Sequence, residues 1–434
     1  MDLVQVGTRD YRRIGVVAGL VAVALVARAL MVDHQSSDYT MFLSRWYDFI
    51  AANGGFGALK HQFADYNVPY LYLLAILTYL PVPPLAGIKI ISVLFDLLLA
   101  FFAYRIVGLR RTGWVPVAAG LAVLFLPTVM ANSGLLAQAD AIYSSFALGG
   151  VYFVLRRRPW LAGVFFGLSL AVKLQAVFLF PLLLLLVLVK WLPWRSLLAI
   201  PAVVLLLDVP ALLVGAPSGQ LLSIYAKQTG SYQALTVKAP SIYQFLPAGV
   251  DVSLFRTVGV VVTGVVVLGL IGTVVVRRIE PTPTRIVLMA LVSAIVVPFL
   301  LPAMHERYFY LADVLTLVAA FYVPARLWYT PILLQVASFL AYTQVMSPDA
   351  VTPGVTVNSG PPSENTWLGP VVSSGGSVHA PTLEFRVLAA LVAVALIAAL
   401  RATVREFQTP TRPRMQGVHI FDGPFRHLVD GHNQ

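Results

Sequence analysis

The chain contains no cysteine. Disulfide staples, thiolate metal sites and sulfur nucleophiles are therefore excluded, and the redox compartment leaves no trace. Charge is also scarce, with Asp, Glu, Lys and Arg making up 11% of 434 residues against roughly 25% in an ordinary soluble domain. With 59% of residues hydrophobic, too little polar surface remains to coat a water-soluble globule. The seven histidines show neither HExxH nor HxxxH spacing, so a protein-built zinc site is not expected. There is no P-loop and no GxGxxG opening a helix after a strand, which removes nucleotide-driven chemistry on the cytoplasmic side. Acids number 19 against 30 bases. The bases sit singly or in twos and threes between apolar runs, a pattern that orients a membrane protein and does not describe a nucleic-acid surface.

What is present is a succession of apolar runs. About 20 helical residues span the roughly 30 Å hydrocarbon core, and twelve runs approach that length: residues 14–32, 86–108, 114–130, 139–155, 159–173, 176–191, 196–215, 255–276, 284–302, 306–323, 328–346 and 384–404. The first is followed by MVDHQ and reads as a retained anchor, not a removed signal peptide. Residues 69–82 (PYLYLLAILTYLPV) are too short to cross and are bounded by Pro69, Pro81 and Pro83-Pro84. If they lie on the membrane surface, most of the 30 bases fall on one side, among them Arg110, Arg111, Arg156, Arg157, Arg158, Arg277 and Arg278. That side is cytoplasmic by the positive-inside rule, and so are both termini.

The expectation is an all-α polytopic membrane protein of about 12 transmembrane helices over residues 14–404, with cytoplasmic tails at 1–13 and 405–434. Three stretches lie outside: 33–85, 216–254 and 347–383. In the first, SRWYDFIAANGGF reads as a short juxtamembrane helix with Trp46, Tyr47 and Phe49 at the headgroup level, ended by Gly54-Gly55. The last, rich in Gly, Ser, Pro and Thr, reads as a flexible lid or a linker.

Polar groups kept in so apolar a chain are costly unless partnered or hydrated, and here they gather at the outer helix ends. Asp38 follows the first span closely enough to face a groove, where a carboxylate serves as a general base; the alternative is a solvated loop acid. Asp65 in FADYNVPY either brackets an acceptor or caps the next helix. In PAMHERYFYLAD, the consecutive His305, Glu306, Arg307 and Tyr308 stand where a plain connection would use Gly, Pro, Asn or Ser. Arg307 suits forked bonding to phosphate oxygens and His305 suits donation or proton movement; the alternative is a Glu306–Arg307 anchor. Asp313, on the same helical face, is placed to hold either. Lys173-Leu174-Gln175 offers a second phosphate cation or a snorkelling lysine. Gln138 and Asp140 open the fourth span, Asp140 as a site acid or a helix cap. Asp96 and Asp208, within spans, read as structural hydrogen-bond partners of Arg28, backbone or hydroxyls.

Taken in order, Asp38 in SDYTMFLSRWYDFI, DYNVPYLYLL, Gln138-Ala139-Asp140, Lys173-Leu174-Gln175, Ser241-Ile242-Tyr243-Gln244 and Met304-His305-Glu306-Arg307-Tyr308 resemble the GT-C superfamily of integral-membrane glycosyltransferases, particularly bacterial relatives of the mannosyltransferases that extend GPI anchors. Many relatives carry a second acid where Tyr39 follows Asp38, and often Trp-Gly where this chain has Leu136-Ala137.

The resemblance implies an inverting transfer on the outer face of the plasma membrane from a polyprenyl-phosphate-linked sugar, mannose foremost, to a glycan, glycolipid or protein acceptor. It implies Asp38 as base and His305, Arg307 and Lys173 around the donor phosphate. Asp65, Gln138, Asp140, Gln175, Tyr243, Glu306 and Tyr308 complete the expected donor and acceptor contacts. No divalent metal is expected, and membrane lipid is the expected surrounding partner. The main rival is a secondary transporter or lipid flippase, which would gather its polar residues at the bilayer midplane on broken helices.

Overall fold

Proline marks where most helices begin, because its missing N–H is one that the first turn leaves unbonded anyway. In the computed structural model, which describes residues 2–230, 232–347, 355–357, 368, 370–372 and 379–410, the helices in chain order are α1 (Asp2–Ala29), α2 (Ser44–Ala52), α3 (Val68–Leu77), α4 (Pro84–Gly108), α5 (Val115–Leu124), α6 (Pro127–Gly134), α7 (Asp140–Leu155), α8 (Pro159–Val172), α9 (Phe180–Leu188), α10 (Ala199–Leu213), α11 (Ser218–Gly230), α12 (Val252–Val276), α13 (Pro283–Leu300), α14 (Tyr310–Tyr322), α15 (Pro324–Leu327), α16 (Thr330–Tyr342) and α17 (Leu383–Gln408). Proline occupies the first or second position of α3, α4, α5, α6, α8, α9, α13, α15 and α16. The strands are few: β1 (Thr236–Val237) pairs in parallel with β2 (Met304–His305), and β3 (Val355–Val357) pairs antiparallel with β4 (Pro370–Val372).

The all-α membrane architecture is as expected, with a difference in span length. Among the described residues five helices are long and apolar enough to cross a bilayer, and a sixth if α5 and α6 count as one span bent by 44°. The bend falls at Pro127, so the run 114–130 is two helices and not one. The runs 139–155, 159–173 and 176–191 form shorter apolar helices, and α14 and α16 have 13 residues each. Helix α13 is apolar on nearly every side and 89% buried, whereas α12 buries only 22% of its most apolar stretch and turns a valine-rich face outward. The bundle is thus centred on α13, with α12 on its lipid side.

Close approach of α8 to the Trp194–Leu213 segment depends on small residues. A Cβ added at Gly163 would lie 2.3 Å from the Ser196 carbonyl oxygen and 2.9 Å from Ala199 Cβ. Backbone cannot swing aside as a side chain can, so Gly163→Ala should lower stability by about 1–3 kcal/mol, read as a lower unfolding temperature in detergent.

Other expectations change in detail. Helix α1 already includes most of the N-terminal tail, and α17 runs to Gln408, past the expected end of the last span; residues 411–434 lie outside the described residues. The expected juxtamembrane helix forms as α2 and ends at Gly54 and Gly55, both at positive φ. Its Trp46 and Phe49 are buried and not at a headgroup surface. Trp46 Nε1 donates to the Leu368 carbonyl at 3.0 Å, and the Leu368 amide donates to Phe63 at 2.7 Å. The stretch 347–383 is therefore tied to the first external loop at Leu368; most of it lies outside the described residues. Asp96 accepts from Arg28 Nε at 2.9 Å and from Ser133 at 2.6 Å, the expected structural pair. Asp313 holds neither Arg307 nor His305: it faces α16, accepting from Ser338 at 3.0 Å.

Candidate active site

The segment after α1 is fastened from three directions. Lys89 Nζ donates to the carbonyls of Met31, Val32 and His34 at 2.7, 3.0 and 2.6 Å, supplying positive charge and donors just past the C-terminal end of α1. Ser36 Oγ donates to Leu136 O and Ser37 Oγ to Val345 O. These bonds deliver Asp38 to the ends of α7, α8, α13 and α14.

There Asp38 meets the predicted partners. Its Oδ2 accepts from Gln138 Nε2 at 2.6 Å and lies 2.9 Å from an Arg307 terminal nitrogen. The same nitrogen is 2.7 Å from Glu306 Oε1, and Arg307 Nε is 3.9 Å from Asp140 Oδ2. Asp140 is no mere helix cap: its side chain makes no capping bond but takes Lys173 Nζ at 2.6 Å and Asn132 Nδ2 at 2.9 Å. Lys173 does not snorkel. It ends α8 in extended conformation, is 4% exposed, and lies over the Tyr66 ring. The Glu306–Arg307 anchor exists, yet it is one edge of a network that also includes Asp38.

Backbone strain accompanies the site. Ala137, just before Gln138, has φ 56°, and Ala303, two residues before His305, has φ 60°. Both lie in the left-handed region that costs an L-residue roughly 1–2 kcal/mol and that glycine adopts without strain. Ala303 donates its amide to Leu235 O and begins the β1–β2 pairing, so loop 216–254 is stitched to the His305 segment. Tyr232 packs edge-on to His305 at 4.4 Å, and Tyr308 follows at 5.0 Å.

A cavity of about 320 Å³ opens beside this network, lined on its polar side by Asp65, Tyr66, Lys173, Gln175, His305, Arg307 and Tyr308. Val177, Phe178, Val260, Leu301 and Pro302 make its apolar side, and Gln228, Thr229, Tyr232 and Arg256 complete the wall. Arg307 Nε, buried, has no hydrogen-bond partner among the described residues. Burial, helped by Arg307, Lys173 and Lys238, holds the His305 imidazole well below its usual range, so it offers a neutral ring N–H and not a fixed charge. Burial pushes the Asp65 carboxyl up to about 6, against the pull of Arg307. Among the described residues no group of three or more His, Asp or Glu side chains is arranged to hold a metal ion.

Of the residues singled out from sequence, Asp38, Gln138, Asp140, Lys173, Glu306 and Arg307 form one bonded network. Asp65, Gln175, His305 and Tyr308 line the adjoining cavity. Tyr243 belongs to neither: its hydroxyl donates to Leu300 O at 2.6 Å against Gly259, bracing the end of α13. Sequence reasoning passed over Tyr66, Gln228, Tyr232 and Arg256. Tyr66 lies inside the DYN motif, next to Asp65. Arg256 stands alone in a largely apolar stretch of sequence, with nothing beside it to mark a site.

The family model for glycosyltransferase family 87 matches residues 63–302, more than half of the chain. The match includes Asp65, Gln138, Asp140, Lys173 and Gln175 and stops just short of His305. No curated protein matches the sequence. Among solved structures, that of ArnT from Cupriavidus metallidurans bound to undecaprenyl phosphate is similar in fold, with TM-score 0.53 and 13% identity over 90% of this chain and 78% of that one. The fold and the family model agree with the GT-C resemblance read from the motifs.

Proposed function

Because the chain belongs to glycosyltransferase family 87, we propose that it moves a sugar, mannose foremost, from a polyprenyl-phosphate donor to a lipid, glycan or protein acceptor at the outer face of the membrane, with both termini cytoplasmic. The observation that carries this reading is Arg307: it is bonded to Asp38 and Glu306 on one terminal nitrogen and lines the cavity, while its Nε, 3.9 Å from Asp140 Oδ2, makes no hydrogen bond. One guanidinium thereby joins a carboxylate to an anion-receptive position. That the similar fold of ArnT holds undecaprenyl phosphate supports a lipid phosphate as the anion.

In this reading Asp38 takes the proton of the acceptor hydroxyl as its oxygen bonds to the anomeric carbon. The glycosyl–phosphate bond breaks on the opposite side with inversion, and the electron pair leaves on the polyprenyl phosphate. Arg307 and Lys173 stabilise the charge growing on that phosphate, and His305 donates a neutral N–H to it. The apolar wall containing Val260, on the lipid-facing helix α12, suits lateral entry of the prenyl chain. A transporter would place its polar groups at mid-membrane; here they collect at helix ends. The direct test is incubation of purified protein with radiolabelled polyprenyl-phosphate-mannose and membrane extract. Label should move to a lipid or glycan product, and its retention on the donor with every extract and with other polyprenyl-phosphate hexoses would overturn the proposal.

A pH dependence follows. Asp65 is raised to about 6, so it is ionised above that pH and neutral below it. With the ionised form active, kcat/KM should fall below about pH 6, and Asp65→Asn should abolish this acid limb. An unchanged limb in that variant would assign it to another group.

A further inference from the structure

Two residues that line the cavity each keep a buried side-chain oxygen without a donor. Asp65 Oδ1 and Gln175 Oε1 are both shielded from solvent without a hydrogen-bond partner, and Gln175 is only 9% exposed. A buried polar group left unpaired is destabilising, so each oxygen favours a bound donor. The cations of the chamber do not relieve them: Lys173 is bonded to Asp140 at 2.6 Å, and Arg307 to Asp38 and Glu306 at 2.9 and 2.7 Å.

Both acceptors are held in place. Gln228 Nε2 of α11 donates to the Asp65 carbonyl at 2.6 Å and to Asn67 Oδ1 at 3.1 Å, tying the Asp65 backbone to the Asn67 side chain across Tyr66. Gln175 sits in the 3-10 turn Leu174–Leu179, directly after the extended Lys173. A phosphate ionised at neutral pH brings no hydrogens to these oxygens, and a prenyl chain brings none that bond. A hexose brings several hydroxyls.

The geometry points to Asp65 and Gln175 as the acceptors that grip the hydroxyls of the transferred hexose and so decide which sugar is accepted. This assignment rests on the sugar-transfer reading above and adds the sugar half of the donor site to its phosphate half. A site built to bond a hydroxyl discriminates strongly against the analogue lacking it, because its own buried group is then left unpaired.

The experiment is a set of monodeoxy analogues of the polyprenyl-phosphate hexose that the parent protein turns over best, assayed with the parent, Asp65→Ala and Gln175→Ala. The parent should lose about 10–100-fold in kcat/KM on at least two deoxy donors, the range of a hydrogen bond worth roughly 1.5–3 kcal/mol. In Asp65→Ala the penalty at one position should vanish, and in Gln175→Ala the penalty at another. Binding of sugar-free polyprenyl phosphate should be unchanged in both variants. Full retention of the parent's deoxy pattern by both variants would overturn the assignment while leaving the transfer reading intact. Loss of polyprenyl phosphate binding would equally overturn it, by showing that these side chains support the chamber instead. If the parent transfers sugar from no polyprenyl-phosphate donor, both readings fall.

Discussion

Replacing Asp38 by Asn lowers kcat for sugar transfer by about 10²–10⁴-fold, the usual share of a positioned general base, while the protein still folds. The amide keeps the shape of the carboxylate and still accepts from Gln138, whose Nε2 lies 2.6 Å from Asp38 Oδ2. What it lacks is the basicity needed to take the acceptor's proton. Arg307 is shared between Asp38 and Glu306 in the free protein, so removing one claimant leaves it freer for the donor phosphate. The donor KM should therefore stay constant or fall, which separates this variant from one that merely disturbs binding. Normal turnover with Asp38→Asn would remove Asp38 as the base.

Arg307→Ala is expected to have the second large effect, on two axes. Donor use should fall by about 10²–10³-fold in kcat/KM, the cost of deleting one donor to a developing anion. Stability should fall as well, because Glu306, 1% exposed, and Asp38 lose the cation between them; breaking a buried pair costs about 3–5 kcal/mol. Adding Glu306→Gln removes one stranded charge and should restore much of the lost melting temperature without restoring transfer. Arg307→Lys should also fail in transfer, since an ammonium cannot contact two carboxylates and a phosphate through a planar fork. Recovery of transfer along with stability in the double variant would make Arg307 a structural residue only.

Much of this arrangement was legible in sequence for a physical reason. A chain that is 59% hydrophobic cannot keep His305, Glu306 and Arg307 together at a helix end without a partner for them, and Asp38, Asp140 and Lys173 stood at helix ends on the same side. What could not be read was which group bonds which. Tyr243 looked equal to Tyr308, yet it is turned away by its bond to Leu300 O, a contact that depends on where α13 ends. Arg256, isolated in the sequence, reaches the cavity with Gln228 and Tyr232 only through the placement of α11 and α12. Trp46 and Phe49 carried the composition of an interface but are buried, with Trp46 bonded to Leu368, a residue more than three hundred positions away in the chain. The helix lengths differ from the apolar runs for a related reason: runs near 20 residues include prolines that start or bend helices, as Pro127 does between α5 and α6.

The central claim is that the base and the phosphate-binding cations share one chamber at the ends of α7, α8, α13 and α14. It is tested most directly by an experimental structure of the protein with a non-transferable polyprenyl-phosphonate sugar. The account predicts the phosphonate within hydrogen-bond distance of Arg307, with the anomeric carbon on the side of Asp38. A phosphonate seated elsewhere, with the Asp38–Arg307 pair undisturbed and out of reach of the sugar, would contradict it.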